Sequence, residues 1–208
     1  MTDFSIEKKF NQPVIGLDEV GRGPLAGPVI SCGCVFNEYN DKKEYIKLIK
    51  DSKKISKKKR KEAFKILLYL KKNKIINFYL GMASVKEIDK LNILEATKLS
   101  MKRVIDKFNI QKPVLIIDGN FKLDYKNIKE ESVIKGDQKS ISTAAASIIA
   151  KIHRDKLMNI LSKKYKDFNW DHNAGYGTKK HIEELIKRGP TIHHRKSFEP
   201  IKSLIFNN

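Results

Sequence analysis

The chain is short of cysteine, of long apolar runs and of arginine; the first two shortages each close off a class of protein, and the third tempers what its charge implies. Cys32 and Cys34 are its only cysteines in 208 residues. They stand two apart in an apolar run, on one face of any strand they join, too close along it for an ordinary disulfide. With no second pair there is no zinc-site spacing, and both are expected as buried, reduced thiols. No apolar run approaches the roughly 20 residues of a membrane span. The opening Met1-Thr2-Asp3-Phe4 has no basic stretch leading into an apolar one, so no secretory leader is expected and the protein reads as soluble and cytoplasmic. Acids are scarce beside bases, 24 against 43, giving a formal charge of +19. That excess favours a polyanionic partner, nucleic acid first. Only six of the 43 are Arg, and a Lys-, Ile- and Asn-rich chain is what AT-rich coding produces, so charge supports this reading without deciding it.

The length suits one domain with a core of ordinary size, and no repeat or linker marks a second. The apolar run 14–17 reads as a buried strand, followed by a second over 28–36. Residues 37–50 are polar, a connection with some helix. Ser56 caps a helix reaching about 72, with Ala63, Phe64, Leu67 and Leu68 as its buried stripe. A strand over 75–82 follows. Ser84 and Glu87 form a capping box opening a helix expected to run as far as 108. The run 113–118, unbroken and ending in an acid, suits a strand covered on both faces, with a short strand over 132–135 beside it. Helix 142–163 opens with Ala144, Ala145, Ala146 and Ser147, small enough for close approach to a sheet. A loop over 171–178 and a helix over 179–187, stopped by Gly189-Pro190, complete the pattern. Alternating strands and helices predict an α/β sheet with helices on both faces.

The most informative stretch is V-I-G-L-D-E-V-G-R-G-P-L-A-G-P-V, residues 14–29. Asp18 and Glu19 close its apolar run, and Gly21-Arg22-Gly23-Pro24 makes a permissive turn. Acids beside a flexible loop carrying one Arg suggest metal and phosphate; strand-end polar residues next to a tight turn are the plainer reading. A dinucleotide fingerprint is set aside, because Gly27 comes one residue late and Pro24 removes a backbone donor. No G-K-[ST] follows, which excludes a triphosphate loop.

This stretch resembles the signature of ribonuclease HII, the type 2 ribonuclease H of bacteria. The resemblance continues in 51–54 (D-S-K-K), 117–120 (I-D-G-N), 135–137 (K-G-D), 144–151 (A-A-A-S-I-I-A-K), Arg154-Asp155, 175–178 (G-Y-G-T) and 193–198 (H-H-R-K-S-F), in the family's order. It implies a ribonuclease H-like fold: a central mixed sheet flanked by helices, with an α/β core over about 13–165 and a small helical C-terminal portion over 166–208 of one catalytic domain. It implies that Asp18, Glu19, Asp118 and Asp137 are catalytic, metal-binding acids. By the same resemblance Gly21, Arg22 and Gly23 read the ribose 2′-hydroxyl, Tyr176 stacks on the sugar after the scissile bond, and Lys53 contacts phosphate.

The chemistry of those residue types agrees. Four gathered carboxylates repel one another unless a cation joins them, and an oxygen-only set favours Mg²⁺ or Mn²⁺. Asp18 and Glu19 are consecutive, so on a strand they face opposite ways; a shared site requires a bend there, or a contribution from the Glu19 carbonyl. The implied substrates are RNA–DNA hybrids and duplex DNA containing a ribonucleotide, with cleavage leaving a 3′-hydroxyl and a 5′-phosphate, and the expected state is a monomer. Two rivals stand beside this. A ribonuclease HIII-like enzyme would carry Gly-Lys-Gly in the loop and an extra N-terminal domain, against Arg22 and the dozen residues before the first strand. A nucleic-acid clamp without catalysis would gain nothing from clustered negative charge. Around the site, Ser142, Thr143 and Ser147 either hold phosphate or cap and pack. His193-His194-Arg195 read as phosphate or packing residues rather than metal ligands, and Asp155 as an ion-pair partner. The tail 203–208 is either a packed end or a docking peptide.

Overall fold

The computed structural model describes residues 2–50 and 56–206. Five strands form one sheet: β1 (Val14–Val20), β2 (Val29–Phe36), β3 (Ile76–Ala83), β4 (Val114–Asp118) and β5 (Lys129–Val133), in the order β3-β2-β1-β4-β5. β1, β2 and β3 form an antiparallel meander, and β4 and β5 add in parallel to β1. The helices are α1 (Tyr45–Lys50), α2 (Lys57–Lys72), α3 (Val85–Leu91), α4 (Ile93–Ile105), α5 (Ile141–Lys164), α6 (Trp170–Asn173), α7 (Lys179–Arg188) and α8 (Ile201–Phe206).

Alternation along the strands sends apolar residues to both faces, and each face has its own core. Cys32, Cys34 and Phe78 pack beneath α1, α2 and the alanine-rich start of α5. Ile15, Leu17, Val35 and Leu115 pack beneath α4 on the other face. Both cysteines are buried and unbridged, as expected. α5 lies directly on β1: a Cβ on Gly16 would sit 2.4 Å from the Ser142 carbonyl carbon and the Thr143 nitrogen. Only glycine lets the helix start come so near the strand that carries Asp18. The chain after α5 packs its Phe168, Trp170, Leu185 and Ile201 against Leu25, Ala26 and Met158, behind the glycine loop.

Four expectations need correction. The helix expected over 84–108 is two helices, α3 and α4. Asn92 breaks it, with φ 73° and a side-chain oxygen that accepts the Leu94 and Glu95 N–H groups. With ψ at 167° this backbone is one that only glycine adopts freely, and the cap, for which Asn is favoured, holds it in place. In α2 the buried stripe is Ala63, Leu67 and Leu70, whereas Leu68 is exposed and Phe64 only half-buried. The edge strand β5 begins three residues before the run expected at 132, because its residues are half-exposed and lack an apolar signal. Trp170–Asn173 is a short helix rather than the start of a loop.

Candidate active site

Parallel pairing explains how distant acids meet. Leu17 is in register with Ile117, so Asp18 and Asp118, the next residue on each strand, fall on the same face of neighbours about 4.8 Å apart. Asp137 reaches them from the far side. Beyond β5, Lys135 turns the chain at φ 57°, and the 3-10 turn Gly136–Gln138 carries Asp137 over the strand ends. Gly136 donates its N–H to Asp118 Oδ1 at 2.9 Å. Asp18, Asp118 and Asp137 each place an oxygen within 4.8 Å of the other two.

Glu19 is not in that triad. β1 stays paired with β2 as far as Val20 and Ile30, so by strand alternation Glu19 faces away from Asp18. It nevertheless lines the same cleft of about 430 Å³ as Asp18, Asp118 and Arg22. β4 ends at Asp118, so among the described residues the last residues of β1 have no strand partner on that side. Asp18 and Glu19 thus line one cleft although β1 keeps its pairing with β2 through both. Glu19 Oε1 lies 3.5 Å from Arg22 Nη1, while its Oε2 is buried with no hydrogen-bond partner among the described residues. Burial raises the Glu19 carboxyl to about 7; Arg22 opposes the shift and the Asp118 charge adds to it.

Three converging carboxylates and a fourth buried beside them, with no His or Cys among them, form a set of hard oxygen donors. Such a set fits Mg²⁺ or Mn²⁺ rather than zinc.

The glycine loop borders the acids. The Arg22 guanidinium lies 5.6 Å from the centre of the Phe121 ring. Gly23 is exposed, and a Cβ there would lie 3.4 Å from Tyr176 Cε1. Tyr176 is 47% exposed, its ring edge beside the loop and open to solvent. Arg22 lines the cleft, Tyr176 stands against Gly23 in the same loop, and Gly21 is buried behind them against Arg154. Lys53 lies outside the described residues.

The open alternatives resolve individually. Ser140 caps α5, accepting the Thr143 N–H, and the Ser142 N–H is taken by the buried Glu7 carboxylate. Ser142 and Thr143 are therefore buried packing residues behind the Ser140 cap, and of the three only Ser147 reaches the cleft. Asp155 accepts Lys151 Nζ at 2.7 Å and lies 3.9 Å from Arg60 Nη1, as expected of an ion-pair partner; Lys151 and Arg60 both line the cleft. His194 is buried in a network whose tautomers follow from its donors. Thr191 N–H donates to His194 Nδ1, so Nε2 bears the hydrogen and donates to His181 Nε2 at 3.0 Å. His181 then donates from Nδ1 to the Tyr176 carbonyl at 2.8 Å. In the tail, Leu204 and Ile205 pack on the cluster beneath the glycine loop, and residues 207–208 lie outside the described residues.

Sequence reasoning missed Glu7, which ties the N-terminal segment to α5, and the roles of Arg154 and Arg195. A signal existed for the arginines: where Lys supplies 37 of 43 bases, 43 less the six Arg, each retained Arg marks a place that needs a planar fork.

A five-stranded mixed sheet with acids at the ends of adjacent parallel strands places the chain in the class of ribonuclease H-like nucleases. Ribonuclease H2 from Pyrococcus horikoshii superposes with a TM-score of 0.74 at 26% identity, covering 94% of this chain and 98% of its own. Bst ribonuclease HIII in complex with Mn²⁺ shares the fold at a TM-score of 0.68 and 19% identity, over 94% of this chain and 70% of its own. Within that class the assignment is specific. The profile of the family Ribonuclease HII matches residues 15–201. Ribonuclease HII of Macrococcus caseolyticus is 50% identical over 96% of this chain and 72% of its own length. That of Pelagibacter ubique is 50% identical over 91% and 97%. The chain belongs to the ribonuclease HII family, whose members are hydrolytic endonucleases. Among the described residues no helix is long and apolar enough to cross a membrane.

Proposed function

We propose that the chain is a divalent-metal-dependent endonuclease that hydrolyses the RNA strand of RNA–DNA hybrids. It also nicks duplex DNA on the 5′ side of an embedded ribonucleotide, leaving a 3′-hydroxyl and a 5′-phosphate. The observation that carries this is the convergence of Asp18, Asp118 and Asp137 beside a glycine loop. Asp18, Asp118 and Asp137 are the direct ligands in this reading, with Glu19 completing the shell. Bound Mg²⁺ or Mn²⁺ supplies an activated water and neutralises the leaving 3′ oxygen. No side-chain nucleophile is then required.

The remaining roles belong to the chain itself. Gly21 and Gly23 allow backbone groups to approach a ribose closely enough to pair with its 2′-hydroxyl. A site built to pair with a hydroxyl discriminates by about 10⁴-fold against the analogue lacking it, because its own polar groups are otherwise stranded. Arg22 holds a phosphate. Tyr176 offers an exposed ring to the following sugar, which favours a deoxyribose there. Arg60 and Lys151, which line the cleft, add phosphate contacts, Lys53 is the further phosphate contact that the resemblance implies, and the +19 charge supplies general attraction to the duplex.

The test is an end-labelled duplex with one ribonucleotide and its all-DNA twin, each incubated with Mg²⁺, Mn²⁺ or chelator, with the cut mapped. A single cut 5′ to the ribonucleotide, abolished by chelator and absent from the twin, is expected. Cleavage of the twin, or cleavage that survives the chelator, refutes the reading.

A further inference from the structure

Arg154 and Arg195 are fully buried, and among the described residues no carboxylate pairs with either. Their partners are backbone carbonyls. Arg154 donates from Nε to Pro28, from Nη1 to Ala174 and from Nη2 to Ala26, at 2.8–3.0 Å. Arg195 donates from Nε and Nη2 to Gly27, from Nη1 to Arg22 and from Nη2 to Gly21. Two guanidinium forks thus gather the glycine loop from Gly21 to Pro28 around themselves and reach the segment before Tyr176. The same two segments also meet directly, since Leu25 donates its N–H to the Gly175 carbonyl at 2.8 Å. The fit is close: a Cβ on Gly21, whose φ is 98°, would overlap Arg154 Nε.

A plain structural tie does not need this construction. Burying a cation away from water is costly unless an opposite charge compensates it; here Arg154 adds repulsion at Arg195, and the Asp155 and Asp89 charges, unpaired with either arginine, only partly oppose the cost. Burial brings the Arg195 guanidinium down to about 9, with Arg154 as the next cause, and the Arg154 guanidinium down to about 10. A neutral amide could satisfy some of these carbonyls without that cost. Two planar, charged forks instead fix the direction of several carbonyls at once, and they do so directly behind the loop that faces a polyanion.

We propose that Arg154 and Arg195 are positioning residues for substrate selection: their forks set the spacing between the Gly21–Gly23 reader and Tyr176, and so tune the enzyme to a single ribonucleotide followed by DNA. The proposal rests on the roles given above to the loop and to Tyr176. It adds that their separation is imposed from behind by two buried cations. A ribonucleotide–deoxyribonucleotide step must satisfy both groups together. A long hybrid offers many registers, and is less sensitive to their spacing.

The experiment compares wild type with Arg195→Lys and Arg154→Lys, which keep the charge and lose the fork. kcat/KM is measured on a single-ribonucleotide duplex and on a long hybrid, and the folded fraction of each variant is checked by circular dichroism and melting. The ratio of the two kcat/KM values cancels any loss of folded enzyme. It is expected to fall about tenfold in each variant. Arg195→Ala should lose the preference too, and recover part of it with millimolar guanidinium but not with ethylammonium. An unchanged ratio in folded variants overturns the proposal, and so does failure of both Lys variants to fold, which would make the arginines simply structural. Failure of the underlying reading is separately visible, because wild type itself would then not distinguish the single-ribonucleotide duplex from its all-DNA twin.

Discussion

Acid should weaken this protein through His194 in a way that can be worked out in advance. The side chain is 1% exposed, and its Nδ1 must stay bare to accept the Thr191 N–H. Protonation destroys that acceptor and buries a charge beside His181, and burial accordingly depresses the imidazole to about 3, with His181 and His193 adding to the shift. In the unfolded chain a histidine titrates near about 6.5. The folded value is the lower one, so the unfolded state takes up the proton first. The stabilisation is complete above about pH 6.5 and drains away as pH falls towards 3. At pH 4.5 the unfolded chain is about two units past its midpoint, which at 1.36 kcal/mol per unit costs about 2.7 kcal/mol relative to neutral pH. Burial also lowers the His181 pKa, adding a loss of the same sign. Urea unfolding at pH 7.5 and 4.5, followed by the fluorescence of the buried Trp170, measures the difference. His194→Asn keeps an acceptor near the Nδ1 position without a titrating ring; it should be less stable at pH 7.5 but lose about 2–3 kcal/mol less between the two pH values. An equal loss in both proteins would show that His194 does not govern the acid limb.

Other perturbations address the site and its scaffold. Asp118→Asn should reduce cleavage by at least about 10³-fold while leaving the melting temperature within a few degrees of wild type, read by single-turnover assay and calorimetry; near-normal turnover would remove Asp118 from the metal shell. Tyr176→Ala should lower kcat/KM on a single-ribonucleotide duplex more than on a long hybrid, and equal losses would deny it a role in reading the junction. Gly16→Ala drives a methyl into the start of α5 and should destabilise by about 3 kcal/mol or more in urea unfolding, with cleavage falling as β1 and α5 separate. Raising salt from about 50 to 200 mM should weaken duplex binding by orders of magnitude through counterion release, whereas a flat profile would show that phosphate contacts contribute little.

The parts legible in the sequence were those written in local pattern. Ser56 capping α2 and the Ser84–Glu87 box were found because a cap is a contact within one turn. β4 was found because burial on both faces leaves an unbroken apolar run. Asp18, Asp118 and Asp137 were identified by resemblance, and their convergence depends on the parallel register of β1 and β4, which no single segment encodes. β5 was misplaced because a half-exposed edge strand has little pattern to show. Arg154 and Arg195 escaped for a related reason: all their partners but Ala174 lie more than a hundred residues away in sequence, and all are carbonyls, which every residue possesses. The helix break at Asn92 was legible in principle, because Asn is a favoured capping residue, but a continuous apolar stripe concealed it.

The paired thiols in the β2 strand have a practical use. Cys32 and Cys34 lie within the sheet under α5, and burial pushes both well above the ordinary thiol range. A native molecule should be inert to alkylating reagents, since neither sulfur is accessible or ionised at neutral pH. Modification must wait for β2 to open, so mass added per chain over time becomes a clock for global exposure. That clock needs no engineered label, and it runs in the same tube as a nuclease assay.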